Sequence, residues 1–180
     1  MQSRGWPDSS PAPQAAARVE RAAAASALYT ADERRRRDAS RWTLVQGVLA
    51  PLQFVAFLIS LVLVLRFLVS GEGLAAATVS VLVKTALLYT IMVTGSIWER
   101  EVFGVYLFAR PFFWEDVVSL LVLALHTAYV AALVTDLGTV HAQLLLALAA
   151  YAAYVINAAQ FLFKLRTARR QATAPDGVPA

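Results

Sequence analysis

GSIWEREVFGVYLFARPFFWEDVVSLLVLALHTAY, residues Gly95–Tyr129, holds the most informative junction in this chain. A hydrophobic segment ends at Trp98. A short charged connector follows with Glu99, Arg100, Glu101 and Arg110, and the next hydrophobic segment opens with Trp114, Glu115 and Asp116. Carboxylates pressed against the end of a membrane-length apolar run are costly to desolvate, so their position calls for a chemical reason.

Outward from this junction the composition sets the class. Of 180 residues 59% are hydrophobic and 16% charged, with a mean hydropathy of +0.59. A soluble domain carries roughly a quarter charged residues. The apolar residues also gather into long runs, as in an integral membrane protein. The absence of cysteine excludes a disulfide framework and a thiolate metal site. The net charge of +4 comes from two basic clusters flanking the apolar region, which reports membrane orientation rather than nucleic-acid binding.

Four stretches are long enough to span a bilayer, at residues 44–69, 74–98, 117–135 and 140–163. Pro51 lies inside the first and is expected to kink or loosen it. Residues 1–27, rich in Ala, Pro, Ser and Gln, read as a disordered tail, within which ARVERAAAASAL has the pattern of a short helix. They lack the apolar core of a secretory signal. Residues 28–43 form a basic juxtamembrane segment, and 164–180 a basic then disordered tail. The short loops at Gly71 and Gly138 are poor in Lys and Arg, so both termini and the 99–116 connector are expected in the cytoplasm. The expected fold is all-α, a four-helix membrane bundle.

Depth follows from a helical rise of about 1.5 Å per residue. Near the cytoplasmic surface fall Gln46, Ser96, Glu99, Glu115, Asp116, Ser119 and Gln160, level with a belt of Trp42, Trp98 and Trp114. About 13 to 15 Å deeper fall Gln53, Tyr89, His126 and Tyr154, with Asn157 between the layers. The outer half is Leu, Val and Ala apart from Lys84, too deep to snorkel with ease. Glu115, Ser119, Val122, His126 and Tyr129 are spaced to share one face, as are Thr85, Tyr89, Met92, Ser96 and Glu99. Gln46, Gln53 and Ser60 form a third stripe; Tyr154, Asn157 and Lys164 form a fourth. Turned inward, these stripes would line a polar pocket open to the cytoplasm or inner leaflet.

Each feature also has a plainer explanation. The acids suit solvated loop charges, and Asp116 a helix cap. His126, Gln, Asn and Tyr suit helix-to-helix hydrogen bonds. No glycine-rich phosphate loop, nucleophile elbow or HExxH is present, and His126 and His141 lie too far apart in depth to share a metal. Any reaction here should need only acid and base groups.

Three stretches carry a family resemblance: ERRRRDASRWTLVQGVLAPLQF, YTIMVTGSIWEREVFGVYLFARPFFWEDVVSLLVLALHTAY and AAYAAYVINAAQFLFKLR. Together they resemble the 3-vinyl bacteriochlorophyllide (chlorophyllide) hydratase family over residues 29–166. The resemblance implies addition of water across the 3-vinyl group of a chlorophyllide or bacteriochlorophyllide, giving a 1-hydroxyethyl group in bacteriochlorophyll synthesis. It implies no cofactor beyond the magnesium carried by the substrate, and a bacterial cytoplasmic or intracytoplasmic membrane. Homo-oligomers and association with other pathway enzymes stay open.

For that reaction the expected acid and base are Glu115 with Glu99 or Asp116. His126 then serves either as axial ligand to the substrate magnesium or, with Tyr89, as the proton-transfer group; the two roles exclude one another. Gln53, Tyr154 and Asn157 are candidate substrate contacts, and Arg100 or Arg110 a partner for the substrate propionate. Two rival functions remain. A non-catalytic tetrapyrrole carrier would need His126 but not the acids, whereas a proton-coupled carrier would need a pathway that the outer half hardly offers.

Overall fold

The computed structural model describes residues 28–173, with side chains described through Thr167. The expected tail at 1–27, with its short helix, and the last residues of the C-terminal tail lie outside the described residues. Among the described residues the architecture is all-helical. A short, highly charged helix, α1 (Ala31–Ala39), precedes four long ones, α2 (Arg41–Ser70), α3 (Leu74–Phe103), α4 (Phe113–Val134) and α5 (Val140–Thr173). All four are long and apolar enough to cross a membrane.

Helix α1 is opened by a capping box in which Thr30 and Glu33 satisfy each other's exposed backbone groups. Ser40 then ends α1 and caps α2 through Trp42 N–H, so the basic segment turns directly into the first span. Helix α2 runs on through Pro51; the carbonyl this proline leaves without a helical donor belongs to Gly47. At its far end Gly71, with φ of 73°, reverses the chain while its N–H closes on Phe67 O at 2.8 Å. Helix α3 continues five residues past Trp98, so Glu99, Arg100 and Glu101 belong to its last turn rather than to a connector. Likewise α5 extends through the basic KLRTARR stretch to Thr173.

The bundle is two hairpins packed together. Helix α2 lies along α3, and α4 along α5, over most of their lengths; α2–α5 and α3–α4 meet over less. The core holds Phe57, Val64, Val81, Leu88, Val122, Leu144 and Tyr151. Side chains such as Leu44, Phe54, Ile59, Val83, Val93 and Ile156 point outward, an apolar surface suited to lipid. The end that carries α1 and the α3–α4 link is called the connector end below.

Candidate active site

The three acids expected at the level of the cytoplasmic surface lie at the connector end and are buried there: Glu99 is 5% exposed, Asp116 4% and Glu115 7%. Each has its own partners. The loop from Gly104 to Ala109 folds back over the end of the bundle, and Phe108 there adopts a φ of 63°, a left-handed conformation that an aromatic residue rarely takes. That conformation aims two successive backbone N–H groups inward. Phe108 N–H donates to Asp116 Oδ2 at 2.7 Å, and Ala109 N–H to Glu99 Oε2 at 3.2 Å. The Glu99 and Asp116 side chains also hydrogen-bond to each other. A hydrogen bond between two carboxyl groups requires that one of them carry the proton. Asp116 is therefore no helix cap, and α4 starts without a side-chain cap.

Glu115 points elsewhere. Lys164 from α5 donates to Glu115 Oε2 at 2.7 Å and also to the Pro111 carbonyl. The expected acid–base set thus divides into a carboxyl pair, Glu99 with Asp116, and an ion pair, Glu115 with Lys164. One turn inward Asn157 Nδ2 donates to Ser119 Oγ at 2.8 Å. An aromatic cluster of Tyr29, Trp98, Phe103, Phe112 and Phe161 walls the site, with Trp98 T-shaped on Phe112 at 5.6 Å. Trp98 also donates from Nε1 to Thr43 Oγ1 at 2.9 Å. It belongs to the site wall, whereas Trp114 is 68% exposed and fits the interfacial belt. Tyr29 is tucked into the same cluster, and burial pushes its phenol above the ordinary value against the opposing effect of Arg37. Ser40 Oγ to Glu101 Oε2, at 2.5 Å, latches the α1–α2 joint to α3.

About 15 Å along α4 from Asp116, ten residues on, lies a second polar group. His126 and Lys84 are both fully buried, with Lys84 Nζ 3.2 Å from His126 Nε2. His126 Nδ1 lies 2.8 Å from Val122 O, which can only accept, so Nδ1 carries the proton and Nε2 accepts from Lys84. Both ring nitrogens are taken by protein groups. Lys84 Nζ also sits 4.1 Å over the Tyr154 ring. Tyr151 OH bonds Ser60 Oγ at 2.5 Å, and Ser60 bonds Ser80 at 2.7 Å.

Of the remaining candidates, Gln53 and Asn157 are buried on the interior side. Tyr89 is not: it is 41% exposed, with its hydroxyl 2.6 Å from Thr127 Oγ1 on the outer surface. The buried face of α3 runs through Val81, Lys84, Thr85 and Leu88, which rotates Tyr89 out of the expected stripe. Arg100 stacks on the exposed Tyr106 ring at 4.6 Å, and Arg110 is exposed. Lys164, expected on a pocket-lining stripe, and Lys84, expected as the one deep charge of the outer half, had no partner assigned from sequence; the structure gives them Glu115 and His126.

A buried carboxyl pair at one end of a bundle of four membrane-length apolar helices marks a membrane protein with ionisable groups held in its interior. The comparisons carry this further: a sequence profile described as 2-vinyl bacteriochlorophyllide hydratase matches residues 29–167, and the chain belongs to that family. The 2-vinyl bacteriochlorophyllide hydratase of Rhodobacter capsulatus is 67% identical over 150 residues, covering 83% of this chain and 87% of the relative. Its namesake from Cereibacter sphaeroides is 68% identical over 143 residues, covering 79% and 88%. No solved structure matches the chain.

Proposed function

We propose that this chain adds water across the vinyl group of a chlorophyllide or bacteriochlorophyllide, giving the 1-hydroxyethyl substituent during bacteriochlorophyll synthesis. Family membership supports the reaction. The observation that carries its location is the contact of Glu99 with Asp116, fixed by the N–H groups of Phe108 and Ala109.

A vinyl group conjugated to the macrocycle hydrates by protonation of its terminal carbon. The cation then forms next to the ring, which delocalises it, and this order gives the 1-hydroxyethyl isomer. The proton held between Glu99 and Asp116 is the donor, and the carboxylate left behind takes the proton released by the attacking water. One pair thus serves as acid and then as base and ends as it began. Glu115, neutralised by Lys164, positions the first turn of α4 rather than reacting. His126 holds Lys84 and does not ligate the magnesium of the substrate. Arg110, exposed at the mouth, suits the substrate propionate. Hydration is redox-neutral and needs no cofactor of its own. The basic block before α2 supports termini and mouth on the cytoplasmic side of a bacterial cytoplasmic or intracytoplasmic membrane.

The test uses membranes from a heterologous host that expresses this chain alone, given chlorophyllide. A product heavier by one water, with a hydroxyethyl group, is expected. Unchanged pigment, with insertion verified, would favour a carrier or an enzyme that needs a partner.

A further inference from the structure

Buried polar atoms in a membrane bundle normally find partners, because an orphan in the apolar interior forfeits its hydration with no return. Here four such atoms among the described residues have none: Gln53 Oε1 and Nε2, Asn157 Oδ1 and Gln160 Oε1. Gln53 is only 2% exposed. Their placement is not scattered. On α5, Lys164 reaches Glu115 and Asn157 reaches Ser119, so Gln160, between them, lies level with the carboxyl pair. On α2, Phe57 packs against Tyr154 with ring centroids 5.0 Å apart. Gln53 lies one turn from Phe57 toward the connector end, and Asn157 lies one turn from Tyr154 in the same direction, which puts the two amides at one level.

We infer that Gln53, Asn157 and Gln160 bind water inside the bundle on the inward side of the carboxyl pair, and that this water is the nucleophile of the hydration. The second clause rests on the hydratase reading above; the first does not. The chemistry matches the atoms. A water molecule has two protons to give: Asn157 Oδ1 or Gln160 Oε1 takes one, Gln53 Nε2 donates to the water oxygen, and the second proton is left for the carboxylate. Held so, the water's oxygen bonds to the inner vinyl carbon. Its proton passes to the carboxylate left by the first protonation, so atoms and charge balance and the acid pair is restored. Gln53 is the informative member, because it makes no other hydrogen bond whose loss would complicate its removal.

Two measurements on the full chain in bilayers test this. Hydroxyl-radical footprinting in 18O-water labels a buried ring only where water lies beside it. Phe57 and Tyr154, each one turn from a proposed ligand, are expected to take label in the unsubstituted chain and to lose most of it in Gln53→Leu. No label in the unsubstituted chain, or undiminished label in the variant, would overturn the water site even if the chain proves not to be a hydratase. In the second measurement Gln53→Leu is expected to lower kcat about 100-fold, with chlorophyllide binding unchanged within about twofold. A variant with full kcat, or one that loses pigment affinity instead, overturns the nucleophile assignment and points to direct contact between Gln53 and the macrocycle. Gln53→Met, closer in shape to glutamine, repeats both readings should the leucine variant fail to fold.

Discussion

The connector-end acids and the mid-bundle Lys84–His126 group are both buried and both polar, yet they are wired differently. At the connector end the backbone does much of the holding: two N–H groups from one loop fix two carboxyls from different helices. In mid-bundle, side chains bond mainly to other side chains, enclosed by Tyr151 and Tyr154. The first arrangement brings two carboxyls from different helices together at the end of the bundle. The second closes both nitrogens of an imidazole and covers an amine with aromatic rings. We read the first as chemistry and the second as the joint that registers α3 against α4.

The sharpest way to break this comparison is at the acids. Glu99→Gln and Asp116→Asn are each expected to cut turnover by about 10² to 10⁴, the range of general acid–base catalysis, while pigment binding persists. Product formation at the unsubstituted rate in either variant would remove the pair from the mechanism.

A smaller effect, on stability rather than turnover, is expected in mid-bundle. His126→Leu leaves the buried amine of Lys84 without its partner and should cost about 2 kcal/mol in thermal or steric-trap unfolding. Adding Lys84→Met should recover most of that loss, because a packed apolar pair often replaces a buried polar one without penalty. If Lys84→Met folds but loses turnover as fully as Glu99→Gln, mid-bundle belongs to the chemistry and the contrast collapses.

These two regions were also unequally legible. The four spans, the glycine turns and the inward face of Glu115, Ser119, Val122, His126 and Tyr129 followed from hydrophobic run length and helical spacing, and all five of those residues are buried. Which acid meets which was not legible. Glu115 and Asp116 are neighbours in sequence, and only the path of the 104–109 loop and the rotation of α5 send one to Glu99 and the other to Lys164. The Lys84–His126 contact likewise joins residues 42 positions apart and depends on the relative register of two helices, which no local pattern encodes.

Glu115→Gln sharpens the division within the acids themselves. It removes the ion pair but not the shared proton, so a fall of about tenfold is expected, from looser positioning of α4. A loss as deep as that of Glu99→Gln would make Glu115 a third catalytic acid. Lys164→Met should reproduce the smaller effect, since it breaks the same contact from the other side.

The smallest expected effect concerns the backbone that aims the loop. Glycine ordinarily destabilises a folded position relative to alanine, by roughly 0.5 to 1 kcal/mol, because it loses more freedom on folding. At position 108 the order should invert. Phe108 sits at φ of 63°, where a Cβ costs about 1 to 2 kcal/mol and glycine costs nothing comparable. Both replacements lose the contact with Phe113, whose ring centroid lies 5.5 Å away, so that term cancels between them. Phe108→Gly is therefore expected to be more stable than Phe108→Ala by up to about 1 kcal/mol. It should also keep more of the turnover, because its backbone can hold both N–H groups on the carboxyls without strain. Alanine equal to or better than glycine in both measurements would mean that the left-handed turn does not persist in the working enzyme. The carboxyl pair would then need another source of its alignment.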